Sequence, residues 1–167
     1  CFFNELSDIE SDNRLLFKLA YANFSIDSLS EASYYFSKLM SIESKYASTS
    51  RYYYAYIAYK EGLYATALNH FQQLVGDDKF GSIIPYYITQ IYFYQKKYNE
   101  LINFAAPLIA NIISSRVAEM NRLLAESYYA LNNYERAIVH FNNYLSADDN
   151  PPPIVHFLLG QSYYNVE

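Results

Sequence analysis

Tryptophan is absent from these 167 residues, and cysteine occurs once, at Cys1. A lone cysteine excludes an internal disulfide, which suits a reducing compartment and equally the many periplasmic proteins built without one. Glycine (4) and proline (5) are scarce, so little interrupts regular backbone structure. Charged residues make up only 17% of the chain, and the net charge is −5 with no basic stripe, which argues against a nucleic-acid partner. No apolar run approaches the roughly 20 residues of a membrane span. The Walker-type GxxxxGK[ST], the dinucleotide GxGxxG, the GxSxG elbow and the HExxH zinc motif are all missing.

Hydrophobic residues, in contrast, reach 52%, and tyrosine alone occurs 21 times. That is ample material for a core and fits one ordinary domain by length. Tyrosines in such number suit half-exposed faces, because each carries an apolar body and a polar tip.

The pattern centres on Tyr52–Leu74, which reads as two amphipathic helices parted at Gly62. A small residue of the first helix recurs as Ala20, Ala55, Thr89, Ala125 and Gly160, in steps of 35, 34, 36 and 35. A second column pairs Ala32 with Phe36, Ala67 with Phe71, Leu101 with Ala105 and Ala137 with Phe141, in steps of 35, 34 and 36. A tyrosine recurs before the second helix at Tyr64, Tyr98 and Tyr134. Two columns on one period of about 34 residues define a helix–turn–helix repeat. Small residues mark the closest helix approach, and the aromatic four positions beyond the second-helix alanine shares its face.

On these residues the chain resembles a tetratricopeptide repeat (TPR) array. Leu124-Ala125 with Tyr128, and Leu159-Gly160 with Tyr163, match the first-helix signature; Leu19-Ala20 matches it with Asn23 in place of the tyrosine. The second repeat offers Tyr54-Ala55 with Ala58, and the third inverts the second-helix sizes at Leu101 and Ala105, a swap that conserves volume. The signature tryptophan is lacking, and the terminal proline has a counterpart only near Pro151–Pro153. The resemblance implies an all-α fold, an α-solenoid of antiparallel helix pairs in a right-handed superhelix. One array spans 1–167, with repeats about 13–47, 48–81, 82–117 and 118–152 and partial helices 1–9 and 153–167. Phe3 and Leu6 stand 33 residues before Phe36 and Leu39, so 1–9 reads as the tail of a second helix and the chain as a window of a longer array. A mature lipoprotein starting at a lipid-bearing Cys1 is the alternative.

Expected helices run 12–25, 28–43, 48–61, 64–76, 82–96, 98–113, 116–131, 134–146 and 153–165. Ser28-x-x-Glu31 reads as a capping box. Gly62 and Asn132-Asn133 tolerate the left-handed conformation where first helices stop. Pro85 suits a first turn, and Pro107 is expected to kink a second helix. Asp77-Asp78 and Asp148-Asp149 read as solvated turn residues, lacking the ligand spacing of a calcium loop. His70 and His140 occupy one repeat position, so they are no cluster; with His156 they offer no metal set, and no metal or other cofactor is implied. Glu119, Arg122 and Glu126 read as surface ion pairs. No catalytic constellation emerges, and the expectation is a non-enzyme.

In the family that the chain resembles, first helices line the concave face. Carried over residue by residue, that face holds Phe17, Tyr21 and Phe24; Tyr52, Tyr56 and Tyr59; Tyr86, Gln90 and Phe93; Arg122, Glu126 and Tyr129; and Phe157, Gln161 and Tyr164. Roughly half are expected to be core rather than contact surface. The chain does not reproduce the combined Lys, Arg and Asn clamp by which some members hold a terminal carboxylate. The set suits an apolar peptide or protein segment, because Tyr and Phe bury large area with little rotamer loss. Two other readings stay open: a glycan-binding envelope protein, with Gln90, Arg122, Glu126 and Gln161 beside the rings, and a structural spacer in a larger assembly. The Tyr-rich, Cys-poor repeats resemble bacterial envelope-associated proteins. Self-association is expected through the unpaired last helix, at Ile154, Leu158 or their neighbours.

Overall fold

The computed structural model describes residues 2–109 and 114–166, with side chains described for 12–109 and 116–166. Among the described residues there are α-helices and no strand: α1 (Phe2–Ser25), α2 (Leu29–Leu39), α3 (Ala47–Lys60), α4 (Tyr64–Gln72), α5 (Ile84–Tyr94), α6 (Tyr98–Ala105), α7 (Ser114–Ala130), α8 (Tyr134–Leu145) and α9 (Pro153–Val166). Packing divides the chain into two compact units, Cys1–Phe80 and Gly81–Glu167. In the first, α1 to α4 pack consecutively; in the second, α5 to α9 do the same, and α7 also touches α5 and α9. No described helix is long and apolar enough to cross a membrane.

The four hairpins α1–α2, α3–α4, α5–α6 and α7–α8 share one corner. Asp27, Gly62, Lys96 and Asn132 all take positive φ, at 60°, 75°, 56° and 59°. Their N–H groups reach back three residues, to the carbonyls of Phe24, Tyr59, Phe93 and Tyr129, at 2.9–3.1 Å. The next N–H, on Ser28, Leu63, Lys97 and Asn133, reaches back five, to Asn23, Ala58, Tyr92 and Tyr128, at 2.8–2.9 Å. This double closure is a Schellman motif, which satisfies the carbonyls that a helix end leaves without partners. The left-handed positions keep the steps of the sequence repeat, 35, 34 and 36. Gly62 and Asn132 were legible as such corners; Asp27 and Lys96 were not.

Side chains staple these corners. Tyr64, Tyr98 and Tyr134 each open a second helix and pack against the aromatic five residues earlier, Tyr59, Phe93 and Tyr129, with ring centroids 6.2, 6.1 and 5.6 Å apart. Leu29 and Phe24 hold the same places in the first hairpin, both half-buried against one core cluster.

The small-residue column is buried where a second helix covers it: Ala20, Ala55, Thr89 and Ala125 have no exposure. The Thr89 hydroxyl is satisfied by donating to the Pro85 carbonyl at 2.7 Å. Second-helix partners Ala32, Phe36, Ala67, Phe71, Leu101, Ala105, Ala137 and Phe141 are buried throughout, so the inverted Leu101–Ala105 pair fills its place as well as the others. Burying each Phe ring contributes about 1.5–3 kcal/mol. Gly160 departs from its column: it is exposed, with no atom within 4 Å of a Cβ built there.

Other expectations are corrected. The helix read at 1–9 is not separate, because α1 runs unbroken from Phe2 to Ser25, a stretch with no Gly or Pro to stop it. Pro107 does not kink a second helix. It ends one: α6 stops at Ala105, since proline disfavours helix at the residue before it and cannot donate onward. The expected continuation over 110–113 lies outside the described residues. Likewise α2 and α4 close earlier than expected, at Leu39 and Gln72. At Ser28 the capping box is incomplete. The hydroxyl donates to the Glu31 carboxylate at 2.6 Å instead of accepting a backbone N–H, and this bond lowers the Glu31 pKa. Asn133 does cap, accepting from the Arg136 N–H at 3.3 Å. Pro85 sits in the first turn of α5, as expected.

Candidate binding surface

Six of the expected contact residues lie in the first unit, and ring contacts join them all. Phe17 stacks on Tyr46 (5.0 Å) and meets Phe36 edge-on (6.0 Å); Phe36 stacks on Tyr53 (5.1 Å). Tyr53 touches Tyr21 (5.5 Å) and Phe24 (5.0 Å), and Phe24 meets Tyr56 (6.0 Å). Tyr56 lies between Tyr52 (6.2 Å) and Tyr59 (6.4 Å). The spacing of α1 and α3 explains the arrangement: 17, 21 and 24, like 52, 56 and 59, fall on one helical face. Tyr21 is the most open of the six, at 46% exposure; the others are half-buried. Tyr53, at the centre, has its pKa raised, first by burial and then by Tyr21.

The network ends on a ring that the sequence reading missed. Phe80 lies flat on Tyr52, with centroids 4.4 Å apart and planes 6° off parallel. Asp77 fixes the loop that delivers it. Its Oδ1 accepts from the backbone N–H of Lys79 (2.9 Å) and Phe80 (3.1 Å), and its Oδ2 from the Ser48 hydroxyl (2.7 Å). The Ser48 bond is the main reason that the Asp77 pKa is lowered. Asp77 is therefore a loop organiser, not a solvated turn residue. Asp148 behaves similarly, accepting from the Tyr144 hydroxyl (2.7 Å) and the Asn150 N–H (3.0 Å). Burial is the first cause of the rise in the Tyr144 pKa, to about 12.

In the second unit the expected surface is largely consumed by internal contacts. Tyr86 and Gln90 are 9% and 8% exposed, and the Gln90 amide donates to the Tyr86 hydroxyl at 2.8 Å. The Arg116 guanidinium covers the Tyr86 ring at 4.6 Å. These two are core, because α5 is buried on nearly every side from Ile84 to Ile91. Arg122 is clamped by two carboxylates: Glu119 takes its Nε and Nη2 at 2.9 and 2.7 Å, and Glu126 takes Nη1. The clamp raises the Arg122 pKa, with Glu119 the leading cause, and leaves the trio with a net charge of about −1 by simple counting. Tyr129 donates to Gln161. Phe93 and Tyr129, like Phe24 and Tyr59, double as corner staples. Phe157 and Tyr164 stand exposed on α9.

The two equivalent histidines differ in satisfaction. Asn121 Nδ2 donates to the Val117 carbonyl, so its Oδ1 is left to accept, and His140 Nδ1 donates to it at 2.9 Å. His140 also stacks on Tyr128 at 5.4 Å. His70 meets Tyr54 edge-on at 5.0 Å, and its buried Nδ1 has no hydrogen-bond partner among the described residues. Burial lowers both pKa values, helped by Arg136 beside His140 and Arg51 beside His70.

A shallow polar depression of about 490 Å³ is lined by Leu131, Asn132, Asn133, Tyr134, Glu135, Asn165 and Val166. None of the expected contact residues lines it. No group of three or more His, Cys, Asp or Glu able to hold a metal ion occurs among the described residues. No protein-family model matches the chain, and no curated protein matches it.

Proposed function

We propose that the chain is a TPR-like α-solenoid scaffold, without enzymatic activity, that holds an apolar segment of a protein partner on the aromatic first-helix face of α1 and α3. The observation that carries this reading is the continuous ring network from Tyr21 to Phe80, with Tyr21 at its edge exposed by 46%. Rings fixed by one another offer contact area at little further entropic cost on binding. The repeated corner supports the scaffold part of the reading, since identical hairpins are the unit of a stacked array. After the corner staples are set aside, Phe17, Tyr21, Tyr52 and Tyr56 are the residues assigned to the partner.

The glycan reading fits less well. Sugars need polar groups beside the rings, and Gln90, Arg122, Glu126 and Gln161 are each engaged by neighbouring side chains. Selection from a random peptide library displayed on phage tests the proposal. Enrichment of aromatic or aliphatic peptides whose binding drops at least about tenfold on Tyr21→Ala or Tyr56→Ala, a hot-spot-sized effect, is expected. Peptides indifferent to both substitutions, or binding only to a glycan array, would overturn it.

A further inference from the structure

Helices α7 and α9 correspond residue for residue at an offset of 35, and the comparison isolates one face of α9. In α7 two faces are covered. Met120, Leu123 and Ser127 are buried, and so are Leu124, Ala125 and Tyr128, the last only 4% exposed. In α9 the first face is also closed: Val155 and Ser162 have no exposure, and Leu158 is half-buried against the same core. This corrects the expectation that Leu158 belongs to the open surface. The second face is not closed. Leu159 is half-buried, Gly160 is exposed, and Tyr163 is 48% exposed.

In α7 this face is covered by the helix that follows. It is α8, an amphipathic helix whose Ala137 and Phe141 are buried in the same core as Ala125. Its His140 stacks on Tyr128, and its Arg136 lies over the same ring. The same pairing recurs earlier, where Ala32 and Phe36 are buried together with Ala20. In both of these hairpins the small first-helix residue is met by a helix carrying a small residue and an aromatic four positions on; α6 carries the inverted order, Leu101 then Ala105. Gly160, smaller still, leaves room for a closer approach, because nothing lies within 4 Å of a Cβ built there.

We infer that the Leu159–Gly160–Tyr163 face of α9 is an acceptor for an amphipathic helix that presents a small residue and, four positions later, an aromatic ring. The recognition is helix-in-groove. The Tyr163 hydroxyl, which accepts from Asn142 at 3.2 Å, fixes one edge of the seat. The inference stands apart from the aromatic face of α1 and α3 and does not rest on it.

The probe is a labelled synthetic peptide of residues 133–147, a copy of α8, titrated into the chain and followed by fluorescence anisotropy. Saturable binding is expected, lost when the peptide carries Phe141→Ala. Gly160→Arg in the protein should weaken binding by about tenfold or more, as for a blocked interface centre. Unchanged helicity and melting of G160R, with Gly160→Leu as a second variant, separate a blocked seat from a misfolded one. Absence of saturable binding would overturn the inference. So would equal binding to G160R, which would mean exchange into the place of α8. A dimer that G160R dissociates, with no peptide binding, would assign the face to a second copy and overturn it too.

Discussion

Phe80 rests on Tyr52 at 4.4 Å because Asp77 gathers three hydrogen bonds from Ser48, Lys79 and Phe80. The partnership couples a loop to the aromatic face. Asp77→Ala should lower stability by about 0.5–1.5 kcal/mol, the usual net worth of a hydrogen bond whose donors still reach water once it is lost. Urea unfolding checks this. It should also weaken any partner that uses Tyr52, while Asp78→Ala leaves both unchanged. The Asp77 pKa is depressed, so its contribution is present above the unfolded value of about 3.9 and is lost as pH falls through the folded value.

Acid sensitivity should begin well before that. His70 and His140 both have depressed pKa values in the fold. The unfolded chain therefore takes up these protons first, at about pH 6.5. Stability is full above that value, falls as pH drops below it, and levels only beneath the folded values. Melting temperatures between pH 7.5 and 5 should decline for the native chain. They should be flatter for the double variant His70→Gln, His140→Gln; an equally steep decline would assign the effect to other groups.

The hairpin corners predict opposite outcomes for two substitutions. Lys96 holds φ 56° with a side chain, which costs about 1–2 kcal/mol. Lys96→Gly should recover part of this, raising stability by about 0.5–1 kcal/mol after the added freedom of the unfolded chain is subtracted. Gly62→Ala, at φ 75°, should lose about 1 kcal/mol by the same steric argument. Thermal unfolding of both variants decides it, and like signs would refute the corner assignment.

Ala125 tests the helix spacing. It is fully buried in one core with Ala137 and Phe141. Ala125→Leu should destabilise by about 1–3 kcal/mol through overpacking. Phe141→Ala should cost about 3–5 kcal/mol through the cavity it leaves. Gly160→Ala, in the same column but exposed, should instead stabilise α9 by about 1 kcal/mol from helix propensity. Denaturant midpoints for the three variants give the comparison.

The repeat was legible because burial imposes a period: Ala55 and Phe71 could be placed by counting from Ala20 and Phe36. What counting could not supply was the environment of a side chain within the stripe. Tyr86 and Gln90 occupy the same register as Phe17 and Tyr21, yet α5 is enclosed and α1 is not, a difference made by surrounding elements. Phe80 lies in a loop with no periodicity, and only the hydrogen bonds of Asp77 bring it to Tyr52. Lys96 gave no signal because lysine is an ordinary helix residue; its left-handed backbone is dictated by the closure of the corner. Pro107 signals a disturbance but not its kind: α6 has already ended at Ala105, so there is no helix at the proline for it to bend.

Each corner is closed by two main-chain hydrogen bonds beneath its side-chain staple, and the residues at its apex, Asp27 and Gly62 among them, are exposed. Those apices are natural attachment points for reporters. A dye pair on cysteines introduced beside them, at the exposed Ile26 and Glu61, would act as a ruler across neighbouring hairpins of the first unit without putting a side chain on the left-handed Gly62. It would register any spreading of α1 from α3 when a guest wedges against their tyrosines, without touching a ring that the guest needs.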